Sequence, residues 1–233
     1  MFTGIMMLKT TFEKNKSIWE NIYKQKETSS FLKYPCENLV TISNRYFVGK
    51  GNNIDKLLDY GFGSGNNLTF FTEKGFICSG VEISESAIDI TRRRLKEIEL
   101  DADLRISSED NIINFEKNYF DVVIAWNVLY YNDESSISKI LSEIHRVMKH
   151  GAFFIATLIT PKDCKVSNSK HISGCTFEFI SLESNQKGSI IVSAETKEDV
   201  KDLFNNFKDI EIGYSELAIN ERVSSYWIIV CKK

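Results

Sequence analysis

Between residues 54 and 158, short and almost wholly apolar runs alternate with longer amphipathic stretches. This alternation restricts the fold more than any other feature of the chain. The runs are 54–59 (IDKLLD), 76–81 (FICSGV), 103–107 (DLRIS), 120–125 (FDVVIA) and 152–158 (AFFIATL), with helical patterns at 65–74, 84–100 and 134–148. In the last of these, Ile137, Ile140, Leu141, Ile144, Val147 and Met148 recur on one helix face. Strands with no polar side, joined by helices, imply a parallel sheet covered on both faces. The C-terminal end departs from the pattern. Thr196 is placed to cap a helix carrying Val200, Leu203, Phe204 and Phe207, and strands follow near 209–214 and 225–231. Only about ten residues, with no helical pattern, join those strands, and a parallel crossover needs about a dozen or more. The last strand is therefore expected to run antiparallel.

A chain of 233 residues suffices for one good core. The expected organisation is a single domain over 1–233, with a helical N-terminal cap at 1–50 and a polar, irregular insertion at 161–195 holding a short hairpin near 176–193. In the cap, Phe12, Trp19, Ile22 and Tyr23 share one side, ahead of a turn at Tyr34-Pro35. The net charge of −3 favours no polyanionic partner, and the basic run Arg92-Arg93-Arg94 falls on a helix as a solvated face. Five widely spaced cysteines, with no Cys-x-x-Cys pair, suit reduced thiols in the cytoplasm. Cys164, His171 and Cys175 lack a fourth ligand at zinc spacing, so no metal is expected. No apolar stretch reaches the ~20 residues of a membrane span, and neither a span nor a signal peptide is expected.

The first strand runs into Asp59-Tyr60-Gly61-Phe62-Gly63-Ser64-Gly65-Asn66-Asn67. Glycines at such a strand-to-helix turn let a ligand approach the backbone where a Cβ would obstruct it. A dinucleotide turn wants a small sixth residue, yet Asn66 stands there, and the lysine-serine or lysine-threonine pair of a phosphate loop is missing. A carboxylate at Asp59 would repel a pyrophosphate and suit an ammonium group. Glu82 ends the next strand, 21 residues after Gly61, where an acid can accept both hydroxyls of a ribose. Beyond the third strand, Glu109-Asp110-Asn111 offers acceptors and an amide for an adenine.

An ammonium, a ribose and an adenine without a phosphate site make up S-adenosylmethionine. At these residues the chain resembles the class I, seven-stranded adenosylmethionine-dependent methyltransferases. Asp59-x-Gly61-x-Gly63-x-Gly65 is similar to their first motif and GVEIS (80–84) to their ribose-binding acid. SSED (107–110) with NYFDVVIAWNVLYY (118–131) looks like their adenine site and fourth strand, and IHRVMKHGAFFIATL (144–158) like the helix, turn and fifth strand beyond. The family commonly has Leu-Lys-Pro-Gly-Gly where this chain has Met148-Lys149-His150-Gly151-Ala152. The resemblance implies a Rossmann-like three-layer αβα sandwich, with a mostly parallel sheet ordered 3-2-1-4-5-7-6 and an antiparallel last strand. It implies adenosylmethionine as cofactor and adenosylhomocysteine as product. It also implies a cofactor site of Asp59, Gly61, Gly63, Gly65, Asn66, Glu82, Ile83, Asn111, Trp126 and Asn127, with Glu109 or Asp110 at the adenine.

On the acceptor side, Trp126, Tyr130 and Tyr131 are placed to face a cationic sulfur. A hydroxyl acceptor needs a base, and Tyr131, Asp133 and His171 are the candidates. His145, beside the apolar helix stripe, suits packing instead. Tyr34 and Arg45 are placed to reach a carboxylate. Asn127-Val128-Leu129-Tyr130 stands where amino-methylating DNA enzymes carry Asp/Asn-Pro-Pro-Tyr/Phe, which argues against DNA. The expected acceptor is a small molecule, a sugar or other metabolite methylated on oxygen or nitrogen. The protein would be a monomer or homodimer acting away from membranes. The alternatives are a catalytically silent partner protein that binds the cofactor, an RNA methyltransferase and a nicotinamide oxidoreductase.

Overall fold

A computed structural model describes residues 10–25, 31–49 and 55–233. Residue 54 of the first expected strand, and 1–9, 26–30 and 50 of the expected cap, lie outside the described residues. Two helices, α1 (Thr11–Gln25) and α2 (Glu37–Tyr46), precede β1 (Lys56–Tyr60), α3 (Asn66–Glu73), β2 (Ile77–Glu82), α4 (Glu85–Glu97) and β3 (Asp103–Ile106). Then come β4 (Phe120–Ala125), α5 (Glu134–Val147) and β5 (Met148–Ile159). The insertion holds α6 (Cys164–Ser167), β6 (Ser169–Ser173), β7 (Thr176–Phe179) and β8 (Ile190–Val192), and α7 (Lys197–Leu203), β9 (Lys208–Ile219) and β10 (Arg222–Lys232) close the chain.

Seven strands form one sheet in the order β3-β2-β1-β4-β5-β10-β9. The five on the β3 side pair in parallel, and β10 runs antiparallel to both β5 and β9. This is the Rossmann-like sandwich with the antiparallel last strand that the pattern predicts. Side chains alternate across each strand, so β1 sends Leu57 to one face and Leu58 to the other. On the first face α2, α3 and α4 contribute Leu39, Phe71, Ile88 and Leu95. On the second, α5 buries Ile137, Ile140, Leu141, Ile144 and Val147, each worth ~1.5–3 kcal/mol of transfer free energy. The cap at Thr196 is reciprocal, its hydroxyl accepting from the Asp199 N–H and the Asp199 carboxylate accepting from the Thr196 N–H.

Three local expectations need correction. The insertion is more regular than expected: the hairpin near 176–193 is present as β7-β8, with Ile190, Ile191 and Val192 buried, and β6 adds a third antiparallel strand beside β7. The loop expected between the last two strands is a tight turn at Asn220-Glu221, with Asn220 at φ +53° and paired strands extending to Ile219 and Arg222. Residues 148–152 continue β5 through an irregularity of register rather than forming a turn before it. Among the described residues, no helix is long and apolar enough to cross a membrane.

Candidate functional site

The parallel strands all end on one side of the sheet, and the chain order reverses between β1 and β4, where open α/β sheets form their ligand crevice. A two-chambered cleft lies there, roofed by α1. The inner chamber, of about 90 Å³, is lined by Tyr60, Gly61, Gly63, Glu82, Ile83 and Asn111 below and by Trp19 and Tyr23 of α1 above. The outer chamber, of about 660 Å³, opens beyond Gly63 among Trp126, Asn127, Tyr130, Tyr131, Lys165 and Tyr226.

The glycine turn is shaped by its neighbours. Gly61 and Gly63 adopt φ of +73° and +55°, which disfavour any residue with a Cβ. A Cβ at Gly61 would collide with the Val128 side chain, and one at Gly63 would stand 2.5 Å from the Tyr23 hydroxyl. Gly65, at φ +77°, is the N-cap of α3. Thr91 of α4 donates its hydroxyl to the Gly63 carbonyl at 3.2 Å and so holds the turn from behind. Asn66 and Asn67 fasten the cap: Asn66 Nδ2 donates to the Tyr34 carbonyl at 3.0 Å, and Asn67 Oδ1 accepts from the Cys36 N–H at 3.0 Å.

Glu82 is buried at the end of β2. Its Oε2 accepts from the Gly63 N–H at 2.8 Å, and its Oε1 accepts from the N–H groups of Ile83 at 2.7 Å and Ser84 at 3.1 Å. Burial raises its pKa, and the three N–H donors offset that only in part. Asp59 is more enclosed still, 1% exposed, and lies beneath the turn rather than among the cleft-lining residues. Its Oδ2 has no hydrogen-bond partner among the described residues. Burial, with the nearby Glu82 charge, pushes its pKa up to about 7.

The third acidic segment divides. Asn111, at φ +61°, is buried and lines the inner chamber beside Ser107. Glu109 and Asp110 point elsewhere: Glu109 accepts from the Thr10 hydroxyl, while Asp110 accepts from the Ser108 hydroxyl and the Ile112 N–H of its own loop. Asn127, at φ +58°, donates its N–H to Thr157 Oγ1 at 2.8 Å and lines both chambers. Trp126 packs into the core on the α3 face and reaches only the outer chamber.

Of the candidate bases, Tyr131 alone reaches the cleft. Its hydroxyl donates to Gln186 Oε1 at 2.9 Å, and burial, only partly offset by Lys165, pushes its pKa up to about 12. Asp133 is the N-cap of α5, accepting from the Ser136 N–H at 2.8 Å. His171 is an exposed residue of β6 hydrogen-bonded with the Gly174 carbonyl. Neither lines a chamber. Tyr34 is exposed on the rim of the outer chamber, while Arg45 lies on the exposed side of α2 away from it. His145 packs edge-on against Phe207 at 5.4 Å. In the basic run, Arg92 pairs with Asp89, whereas Arg94 donates to the carbonyls of Leu32 and Phe31 and holds the chamber rim. All five cysteines are free thiols, and among the described residues no group of three metal-ligating side chains occurs.

Several site residues escape a reading of the sequence. Asn15, 2% exposed, donates to the carbonyls of Tyr131 and Ile190 and accepts from the Ile190 N–H. It thereby ties α1 to both the loop after β4 and the insertion. Glu20, Lys165 and Gln186 also go unsignalled. Each gains its position from a contact remote in the chain.

Residues 57–151 match a family model described as a methyltransferase domain. An adenosylmethionine-dependent methyltransferase from Methanosarcina mazei superposes with TM-score 0.66 at 20% identity, covering 82% of this chain and 96% of that one. Another, from Clostridium acetobutylicum, gives 0.62 at 13%, covering 95% and 91%. Geranyl diphosphate C-methyltransferase from Streptomyces coelicolor, solved with Mg²⁺, geranyl diphosphate and S-adenosylhomocysteine, gives 0.63 at 13%, covering 97% and 99%. At such identities these likenesses establish the fold alone. No curated protein sequence matches the chain. Residues 57–151 thus match a methyltransferase domain, on the Rossmann-like fold of proteins solved as adenosylmethionine-dependent methyltransferases, and S-adenosylmethionine is the group to test against this site.

The residues present fit that group. The turn at Gly61 and Gly63 has no room for side chains, and a buried carboxylate oxygen beneath it lacks a partner. With α1 in place, however, the inner chamber falls well below the about 300–1,000 Å³ usual for a bound small molecule. Trp19 and Tyr23 form the roof over this chamber, and Gly61, Gly63, Asn127 and Tyr131 continue it into the outer one.

Proposed function

We propose that the protein transfers a methyl group from adenosylmethionine to a small acceptor seated in the outer chamber, at an atom that is nucleophilic without a protein base. In this reading Glu82 holds the ribose while keeping the turn in shape. Asn111, Ile83 and Ser107 border the adenine, and Gly61 and Gly63 admit the amino-acid end. Asp59 supplies negative charge beneath the ammonium, and Asn127 orients the group where the two chambers meet. Glu109 and Asp110 are left outside the site.

When bound, adenosylmethionine supplies an electrophilic methyl carbon on a sulfonium. The chain's part is to align an acceptor in line with that carbon and to exclude water, which can account for most of the rate. The observation that carries the reading is the outer chamber itself. Its lining is aromatic, and it presents no histidine or carboxylate among the described residues. Tyr131 and Tyr130, their hydroxyls hydrogen-bonded to each other, both titrate far above neutrality. A general base works best with a pKa near the operating pH. A neutral amine, a thiol or an acidic hydroxyl therefore suits this chamber, whereas a sugar hydroxyl, too weak an acid to ionise unaided, suits it poorly. An enclosure of this size also favours a small acceptor over a nucleic-acid duplex or a membrane surface, and a monomer or homodimer suffices for it.

Calorimetry with adenosylhomocysteine, adenosylmethionine and NAD tests the cofactor side. Micromolar affinity for the first two is expected, and binding of NAD alone would sink the proposal. For the acceptor, mass spectrometry after incubation with adenosylmethionine and mixed amines, phenols, thiols and sugars should find methylated products outside the sugar class. A methylated sugar hydroxyl as the sole product would refute the base-free reading.

A further inference from the structure

Lys165 is a largely enclosed cation of the outer chamber, and its ammonium lacks a close partner. Its side chain is 17% exposed, and the charge nearest to it is Asp163 at 3.6 Å. That is well beyond the ~2.7–2.9 Å of a charge-assisted hydrogen bond. Asp163 is engaged elsewhere, its Oδ1 accepting from the Lys165 N–H at 2.9 Å and its Oδ2 from the Ser225 N–H at 2.9 Å. Among the described residues the ammonium has no hydrogen-bond acceptor in range. Instead it lies 5.8 Å from the Tyr130 ring centroid and 6.0 Å from that of Tyr226. Burial disfavours its charge, but nearby acidic groups outweigh the burial and keep it protonated.

A largely enclosed ammonium short of protein acceptors is poised to gain from a ligand that completes its shell. We propose that Lys165 anchors the acceptor by a carboxylate, so that the substrate is a flat, apolar molecule bearing one carboxylate, held between the ammonium and the aromatic walls of the outer chamber. The proposal rests on the methyltransferase reading of the same cleft. The chamber's other lysine, Lys33, is exposed, so Lys165 with Asp163 close behind it is the one enclosed charge, and it matches a single negative charge better than a phosphate dianion. The walls of Trp19, Trp126, Tyr130, Tyr131 and Tyr226 match a flat body. Gln186, which accepts from Tyr131, fixes the tyrosine pair beside the anchor.

The test uses the full chain saturated with adenosylhomocysteine and follows tryptophan fluorescence on titration with 2-naphthoate, 2-naphthamide and 2-naphthyl phosphate. Failure to bind adenosylhomocysteine would remove the methyltransferase reading; the naphthyl series tests the anchor once that binding is shown. The expected result is naphthoate binding at least about tenfold tighter than the amide, and tighter than the phosphate. In Lys165→Met the preference for naphthoate should vanish while adenosylhomocysteine affinity stays within about twofold, and Lys165→Arg should keep the preference. Equal binding of acid and amide by the unaltered protein overturns the proposal, and that measurement needs no variant to fold. So does tighter binding of the phosphate, or a preference that survives in Lys165→Met.

Discussion

The Glu20 carboxylate on α1 accepts from the Ser84 hydroxyl at 2.6 Å, and Ser84 is the residue that caps α4. The same carboxylate accepts from the Ser86 hydroxyl at 2.7 Å and the Ser86 N–H at 3.2 Å. It thus sits at the positive end of a 13-residue helix, where a negative charge is stabilised. Burial works to raise its pKa, but the two serines and Lys24 outweigh it and bring the value down to about 2. One acid therefore latches the roof of the cleft to the floor.

Since Glu20 ties α1 to the start of α4, Glu20→Ala should loosen the roof without unfolding the sheet. Hydrogen exchange in α1 is expected to speed up at least about tenfold, with β1 and β4 unchanged, and adenosylhomocysteine should dissociate faster. A carboxylate with a lowered folded pKa contributes fully above its unfolded value and loses that contribution as pH falls toward the folded value. The latch should hold unchanged from pH 6 to 9 and weaken below about pH 4. Slow exchange in α1 of the variant would reject it.

Asp59 behaves in the opposite way. Its folded pKa is raised to about 7 against an ordinary value of 3.8, so the folded chain holds a proton that the unfolded chain releases between those values. Its effect is to make the cofactor-free protein less stable as pH rises from about 4 to about 7. An ammonium bound above it would reverse the preference, so cofactor affinity should increase with pH up to about 7. Asp59→Asn should raise Tm of the cofactor-free protein at pH 8 by a few degrees, at roughly 2–4 °C per kcal/mol. The same variant should bind adenosylhomocysteine at least tenfold more weakly, a loss of about 1.4 kcal/mol. Thermal melts and calorimetry on one preparation read both effects, and unchanged affinity would remove Asp59 from the site.

Gly63→Ala sets two costs against each other at one atom. A positive φ strains any residue with a Cβ by about 1–3 kcal/mol, and the new methyl would press on the Tyr23 hydroxyl. Tyr23 can swing away with α1, so the variant should fold with Tm several degrees lower. Cofactor binding should fall at least a hundredfold, because the methyl stands where the ligand approaches. Near-native affinity in calorimetry would show that the ligand passes elsewhere.

The parallel sheet was legible because its central strands are buried on both faces, leaving runs of apolar residues that no surface segment needs, whereas the strand order came only with the family resemblance. The glycine turn was legible for a related reason: Gly61 and Gly63 meet steric demands that few other residues satisfy. Asn66 and Asn67 line the outer chamber and also hold Tyr34 and Cys36 of the cap, contacts that the sequence does not signal. The division within Glu109-Asp110-Asn111 depended on one backbone angle at Asn111, which composition does not encode. Within the insertion β7 and β8 were legible as a hairpin, whereas β6 (Ser169–Ser173), polar and exposed, left no apolar run to mark it. Glu20 and Asn15 lay beyond reach, since each is one polar residue whose partners come from a distant element, and Lys165 because the rings around it, Tyr130 and Tyr226, come from distant strands and loops.

Asn15 provides the severest test of how the roof is held. Its amide satisfies the Ile190 N–H at 3.0 Å and the Tyr131 carbonyl at 2.6 Å, all in a buried setting. In Asn15→Ala both backbone groups lose their partner, and leaving each unsatisfied costs about 1–3 kcal/mol. A total loss of roughly 2–4 kcal/mol is expected, lowering Tm by about 5–15 °C at this chain length. Asn15→Asp is the sharper variant. It keeps the acceptor for the Ile190 N–H but replaces the donor with an oxygen facing the Tyr131 carbonyl, so an ionised carboxylate there is repelled. Its stability should therefore fall as pH rises above the ordinary carboxylate range, whereas that of Asn15→Ala should keep the pH dependence of the unaltered protein. Parallel pH profiles of the two variants in thermal melts would show that Asn15 does not bridge these elements.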